Sequence, residues 1–215
     1  AVRIAAHTPH AIETMDGMVL DLARDDVAYP LVEHYIMPGA RALTLVEFAG
    51  EGKDETDARA EAFAASGPAS AVVSDPDEAA GFWGLRARAV GVLGALPGSR
   101  KPSPFVEDAG VPLDRLPAFI EGFEAILASE GLTCGRFGHL DAGVIHIRPA
   151  VDTTDDADVE RVRRVSDAVA KLAKDNDGVL WGEHGKGVRG EYNAYFFGAT
   201  IDAAMRRIKG AADPG

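Results

Sequence analysis

Leu116, Phe119, Ile120, Phe123, Ile126 and Leu127 recur every three or four residues, and this run constrains the fold most. A helix carrying so wide an apolar stripe must lay it against another layer. Gly131 stops the helix. Two β-prone runs follow, Cys134 to Leu140 and Val144 to Ile147, and the tight turn Asp141-Ala142-Gly143 between them makes a hairpin. A second long helix is predicted from Asp156 to Asp175, with Val159, Val162, Val165, Val169 and Leu172 inward and Asp177-Gly178 as its end.

The chain before this block begins in strand-like sequence at Ala1. Ile12, Met15, Val19, Leu22 and Ala23 then follow helical spacing, which predicts a helix over residues 11–24. Residues 42–48 read as a strand, 54–66 as an acidic helix ended by Gly67-Pro68, and 71–73 as a short strand, together one βαβ unit. Asp75-Pro76 opens a helix with Phe82, Leu85, Ala89, Leu93 and Leu96 on one face, ended by Pro97-Gly98. Residues 97–104 read as a loop, 105–111 as a strand, and 201–209 as a closing helix. The order of elements predicts an α+β domain: a ferredoxin-like antiparallel sheet with helices on one face, plus a C-terminal helical segment.

Composition narrows the class. With 47% hydrophobic and 26% charged residues the chain suits a globular fold, and no apolar run approaches the roughly 20 residues that span a bilayer. Twenty-two basic against 34 acidic residues give a net charge of -12, with no basic stripe to track phosphates, so nucleic acid is not an expected partner. An anionic ligand is not excluded, because a few cleft arginines or lysines decide that locally. The single cysteine, Cys134, rules out an internal disulfide and reads as a buried inert thiol in a reducing, cytoplasmic compartment. Both chain ends look like cuts, so a longer parent protein is expected.

His139 and His146 fall on facing strands of the hairpin, close enough for both imidazoles to reach one ion. Such a pair needs a third ligand, usually a carboxylate; two structural strand histidines are the plainer alternative. The run Trp181-Gly182-Glu183-His184-Gly185-Lys186-Gly187 is a glycine-rich loop that either approaches a ligand closely or is a surface turn. Its Glu183 is the candidate third ligand, which leaves His184 as a candidate base.

Those two motifs, Gly138-His139 with His146 and then Gly182 to Gly187, resemble the C-terminal domain of FAD-linked oxidases of the vanillyl-alcohol-oxidase-type superfamily, over nearly the whole chain. Trp83-Gly84-Leu85-Arg86, Phe105 to Asp108, Ile147 to Ala150 and Val188 to Tyr192 look most like the bacterial D-2-hydroxy-acid dehydrogenase type, of the 2-hydroxyglutarate or lactate class, fused to an iron-sulfur portion. The resemblance implies that residues 1–215 are a substrate-binding cap domain whose flavin-binding domain lies elsewhere. It implies a divalent metal such as zinc on His139, His146 and Glu183, and His184 as acceptor of the substrate hydroxyl proton. It also implies a substrate carboxylate on Arg86, where an exposed helix arginine is the alternative. Lys101 and Lys186 are weaker candidates for the same cleft, with merely solvated lysines as the alternative. Association with a membrane would come only through electron-transfer partners.

Two departures bear on the substrate. Many relatives carry Gly-Asp-Gly-Asn where this chain has Asp141-Ala142-Gly143-Val144, and some carry Asn where Arg148 stands. Arg148, two residues beyond His146 on one strand, is expected on the metal side of the sheet as a site for the distal carboxylate of a dicarboxylic acid; a bond to a sheet-edge carbonyl or to Asp152 is the alternative. No glycine-rich pyrophosphate fingerprint appears, so FAD is expected on other sequence. The rival function is a non-catalytic ferredoxin-like binding module with structural histidines. A metal-dependent hydrolase using Glu183 and His184 matches no hydrolase motif.

Overall fold

One antiparallel sheet organises the computed structural model, which describes residues 2–67 and 71–214. Its strands are β1 (Ala11–Asp16), β2 (Ala42–Glu47), β3 (Lys101–Pro102), β4 (Cys134–His139) and β5 (Val144–Val151), in the spatial order β2-β1-β4-β5-β3. The α-helices are α1 (Val2–Ala5), α2 (Gly17–Leu22), α3 (Tyr29–Val32), α4 (Lys53–Ser66), α5 (Pro76–Gly94), α6 (Leu116–Ser129), α7 (Asp156–Asp175) and α8 (Asn193–Ala212), the last kinked at Gly198. Ala1, Pro68 as a helix stop and the terminal Gly215 lie outside the described residues.

The α6, hairpin, α7 block is the one expected. The turn depends on Gly143: its φ is +68°, and a Cβ there would lie 2.0 Å from the Val111 carbonyl oxygen. Along β5, Ile145 and Ile147 point into a core made by Phe119, Phe123 and Leu127 of α6 and Val165 and Val169 of α7. The alternate residues face the other side, where Met15 and Phe137 meet Leu85, Ala89 and Leu93 of α5 and Val19 and Leu20 of α2. The α+β class and the antiparallel sheet hold, and the helical cover extends to both faces of the sheet.

Several local readings are corrected. Residues 11–24 are strand β1 followed by α2, not one helix. Because β1 is central, Ile12 and Met15 are buried on opposite faces, which mimics helical spacing, and the Asp16 side chain caps α2 by accepting from Val19 N–H at 3.0 Å. Val2–Ala5 is a helical turn instead of a strand. Residues 71–75 are irregular, so no βαβ unit forms. Residues 105–111 make only isolated bridges from Gly110 to Val144 and Val179, while the 97–104 loop contains the two-residue β3. The closing helix starts at Asn193, earlier than expected. Val159 is 49% exposed, because Asp158 takes the inward position of that turn.

Asp158 is fully buried and accepts two hydrogen bonds from Arg100, at 2.8 Å each, one from Asp152 N–H at 2.9 Å, and a contact from Arg161. The Arg100 pairing, with the Asp152 N–H, holds its carboxyl at about 2. A carboxyl depressed in the folded state stabilises above its unfolded pKa, and the contribution disappears as pH falls from about 4 to 2. Asp158→Ala is therefore expected to cost about 2 kcal/mol in urea denaturation at pH 7, less than a fully buried pair because Arg100 can regain water. The gap to the native chain should shrink at pH 3, and an equal gap at both pH values would contradict this account. Among the described residues no helix is long and apolar enough to cross a membrane.

Candidate functional site

The register of the three central strands assembles the site. Glu13 of β1 lies opposite His139 of β4, and Phe137 of β4 lies opposite His146 of β5, so all four side chains share one face. The His139 and His146 rings meet at 5.5 Å between centroids, edge to face.

Residues 181–187 bring the rest. The buried Asp108 carboxylate accepts from the backbone N–H of Glu183 at 3.1 Å and of His184 at 2.9 Å, and its carbonyl accepts from Gly182 N–H at 2.6 Å. Three consecutive amides are thus fixed by one residue. Arg189 closes the loop, donating to the Gly185 carbonyl at 2.7 Å with Asp108 at 3.5 Å. The His184 ring then stacks on His146 with centroids 4.7 Å apart.

Glu183 Oε1 becomes the centre of the cluster. It lies 2.8 Å from His146 Nε2, 3.1 Å from His139 Nε2 and 3.5 Å from His184 Nε2. The Nδ1 atoms point outward to other acceptors: His139 to Glu13 Oε1 at 2.5 Å, His184 to Glu107 Oε1 at 2.7 Å, and His146 to the Glu107 carbonyl at 3.3 Å, with Glu107 Oε2 nearby at 3.2 Å but without a hydrogen-bond partner. Carboxylate and carbonyl oxygens only accept, so a neutral ring that donates its Nδ1–H outward would present the Nε2 lone pair on the Glu183 side, the form in which it could ligate an ion. In that form the Nε2 atoms and the Glu183 carboxylate together suit a cation. Donors held about 2.0 to 2.2 Å from one ion sit roughly 3 Å apart, as these do. His139, His146 and Glu183 thus form a group able to hold a metal ion, their donor atoms all within 4.8 Å of one another, and the outer carboxylates are the usual orienting partners of metal-bound histidine.

Two arginines lie over the Phe137 ring. The Arg86 guanidinium lies 4.9 Å from the Phe137 ring centre and donates from Nε to Glu13 Oε2 at 2.7 Å, so it is a half-buried, paired group, not an exposed helix arginine. Arg148 lies 5.7 Å from the same ring, with Nη2 3.6 Å from Glu107 Oε2, and reaches neither Asp152 nor a carbonyl among the described residues. Its buried Nε has no hydrogen-bond partner. Burial pushes the Glu107 carboxyl up, but His146, His184 and Arg148 outweigh that and hold it at about 2. Formally, three carboxylates against two guanidiniums leave this cluster one negative charge, and a divalent ion would make it positive and fit for an anionic ligand.

Lys101 and Lys186 are not brought there. Lys101 pairs with Val151, five residues along β5 from His146 or about 16 Å, and donates to the Leu96 carbonyl. The Lys186 ammonium bonds Asn193 at 3.0 Å and sits 4.8 Å from the centres of both the Trp181 and Phe197 rings. Sequence reasoning missed Glu13, Glu107 and Asp108. Adjacent acids inside the apolar run 105–111 were a signal for the last two; Glu13 was hidden by the helical reading of its strand.

The whole chain, residues 1–215, matches the family described as FAD linked oxidases, C-terminal domain. It is 40% identical to the D-2-hydroxyglutarate dehydrogenase of Pseudomonas putida (strain KT2440), over 98% of the chain and 22% of that protein. It is 40% identical to the Escherichia coli (strain K12) protein of the same name, over 95% of the chain and 22% of that protein, so the chain spans about a fifth of these relatives. The 4-ethylphenol oxidase from Gulosibacter chungangensis, solved as an isoeugenol complex, shares the fold with a TM-score of 0.60 at 13% identity, over 95% of this chain and 45% of that one. This chain belongs to the C-terminal domain family of the FAD linked oxidases.

Proposed function

We propose that the chain is the substrate- and metal-binding part of a flavin-dependent dehydrogenase that oxidises a D-2-hydroxy acid, of the 2-hydroxyglutarate or lactate class, to the 2-oxo acid. The observation that carries this is the convergence of the His139, His146 and His184 Nε2 atoms on Glu183 Oε1, with two half-buried guanidiniums over the adjacent Phe137 ring. His139, His146 and Glu183 would hold a divalent ion, with zinc suited to the nitrogen and oxygen donors. Bound cofactors would supply an oxidant for the C2 hydride and stabilisation of charge on the hydroxyl oxygen. The chain's own residues do the rest. Arg86 and Arg148 bind carboxylates, and Glu107 holds the Nδ1–H of His184 so that Nε2 is free to take the hydroxyl proton. FAD is held mainly by sequence outside this chain. An iron-sulfur cluster would sit on another portion too, since Cys134 is the lone cysteine and burial, with Asp16 nearby, pushes its thiol up to about 12.

The test uses the intact flavoprotein, stripped with a chelator and reloaded with zinc. Without air, 2-hydroxy acids should bleach the flavin band at about 450 nm only after reloading. The 215-residue chain should retain one zinc per molecule. No bleaching by any 2-hydroxy acid, in protein loaded with both flavin and zinc, would reject the assignment; a chain that retains no ion would favour the binding module with structural histidines.

A further inference from the structure

Glu13 is buried, with 6% of its surface exposed, and its two carboxylate oxygens are divided between two groups of different purpose. Oε1 accepts from Nδ1 of His139 at 2.5 Å and Oε2 accepts from Nε of Arg86 at 2.7 Å. The first bond fixes the tautomer and plane of His139, so that its Nε2 lone pair faces Glu183. The second holds Arg86 by its Nε edge. Among the described residues the Arg86 Nη groups make no hydrogen bond, which leaves a pair of N–H groups for a carboxylate. The strand register makes this division possible, because Glu13 stands directly opposite His139 in the centre of the sheet while α5 lowers Arg86 onto Phe137 from above.

We propose that Glu13 is a positioning residue that sets His139 and Arg86 in one geometry, so that ion retention and acid recognition depend on the same carboxylate. This rests on the reading of His139 as a metal ligand and Arg86 as a carboxylate-binding residue. Since both ligands meet at Glu13, each should also affect the other's affinity.

The discriminating substitution is Glu13→Gln in the intact flavoprotein. Its one amide oxygen can accept from either His139 or Arg86, and its NH2 group faces the donor that remains. Zinc affinity by chelator competition should fall about 10- to 100-fold. With zinc saturating, KM for D-2-hydroxyglutarate should rise by about tenfold or more while kcat changes less. The visible spectrum of the cobalt-loaded protein should also shift, as a ligand loses its orientation. Circular dichroism establishes that the variant is folded; if it is not, Glu13→Asp, which keeps the charge but retracts it, is read the same way and should weaken both affinities. A folded variant that keeps either native zinc affinity or native KM overturns the proposal. A native protein that binds no zinc or oxidises no 2-hydroxy acid overturns the functional reading, and the positioning role with it.

Discussion

His184→Ala should lower kcat for 2-hydroxy-acid oxidation by about 100- to 10,000-fold, the range lost with a general base, and leave zinc affinity within a few fold. The expectation follows from how differently the three imidazoles are held. His146 is 2% exposed and His139 33%, and their Nε2 atoms are the two nearest Glu183 Oε1. His184 is 41% exposed, stands farthest from that oxygen at 3.5 Å, and presents its ring to the open side. Its Nδ1 is anchored to a carboxylate held at about 2, so Glu107 stays charged across the working pH range and would stabilise an imidazolium if Nε2 took a proton. A group so placed suits proton transfer better than ion retention. Steady-state kinetics of the intact flavoprotein, with chelator competition on the same sample, checks both halves. If zinc affinity collapsed along with kcat, His184 would be a fourth ligand and the base would have to be sought elsewhere.

What could be read from sequence divides along physical lines. Strong periodicities survive folding: the stripe of α6, the Asp156 to Asp175 helix and the hairpin between them are where spacing puts them, and so is the His139 and His146 pair, because a two-strand unit with a tight turn is local. The glycine-rich loop was recognisable as well, but its partner was not. The loop is tied down by Asp108, some 75 residues earlier, and no local pattern encodes that distance. Central strand β1 failed for a different reason. A strand buried on both faces has no clean alternation of polar and apolar residues, and Ile12, Met15 and Val19 fit a helical period equally well. That error removed Glu13 from view, since a carboxylate on a helix face has no cause to meet His139. Lys101, a candidate cation in sequence, donates to a backbone carbonyl at the start of an edge strand, a local contact that no sequence pattern announces.

Arg148→Ala should lower kcat/KM for D-2-hydroxyglutarate by well over tenfold, with a much smaller effect on lactate, since truncating one partner of a desolvated charge pair costs roughly 2 to 5 kcal/mol. The alternation of β5 puts Arg148 on the same face as His146, two residues and about 6.6 Å along the strand, a span suited to the distance between the reacting carbon and a distal carboxylate. Its side chain is 15% exposed, its Nε is buried without a partner, and the nearest carboxylate oxygen, Glu107 Oε2, is 3.6 Å from Nη2 and receives no well-directed hydrogen bond. A buried guanidinium left so poorly satisfied is costly unless a ligand completes it. Glu107 Oε1 accepts from His184 and its Oε2 makes no directed bond to Arg148, so a ligand carboxylate would complete the guanidinium. Lactate carries only the carboxylate beside the reacting carbon, the end that the proposed reading gives to Arg86. Arg148→Lys separates charge from shape: it should recover part of the 2-hydroxyglutarate activity through its charge, but not all, because an ammonium cannot make the paired bonds of a guanidinium. Equal losses for the two acids in Arg148→Ala would reduce Arg148 to a counter-charge for Glu107 and leave the choice of acid to other residues.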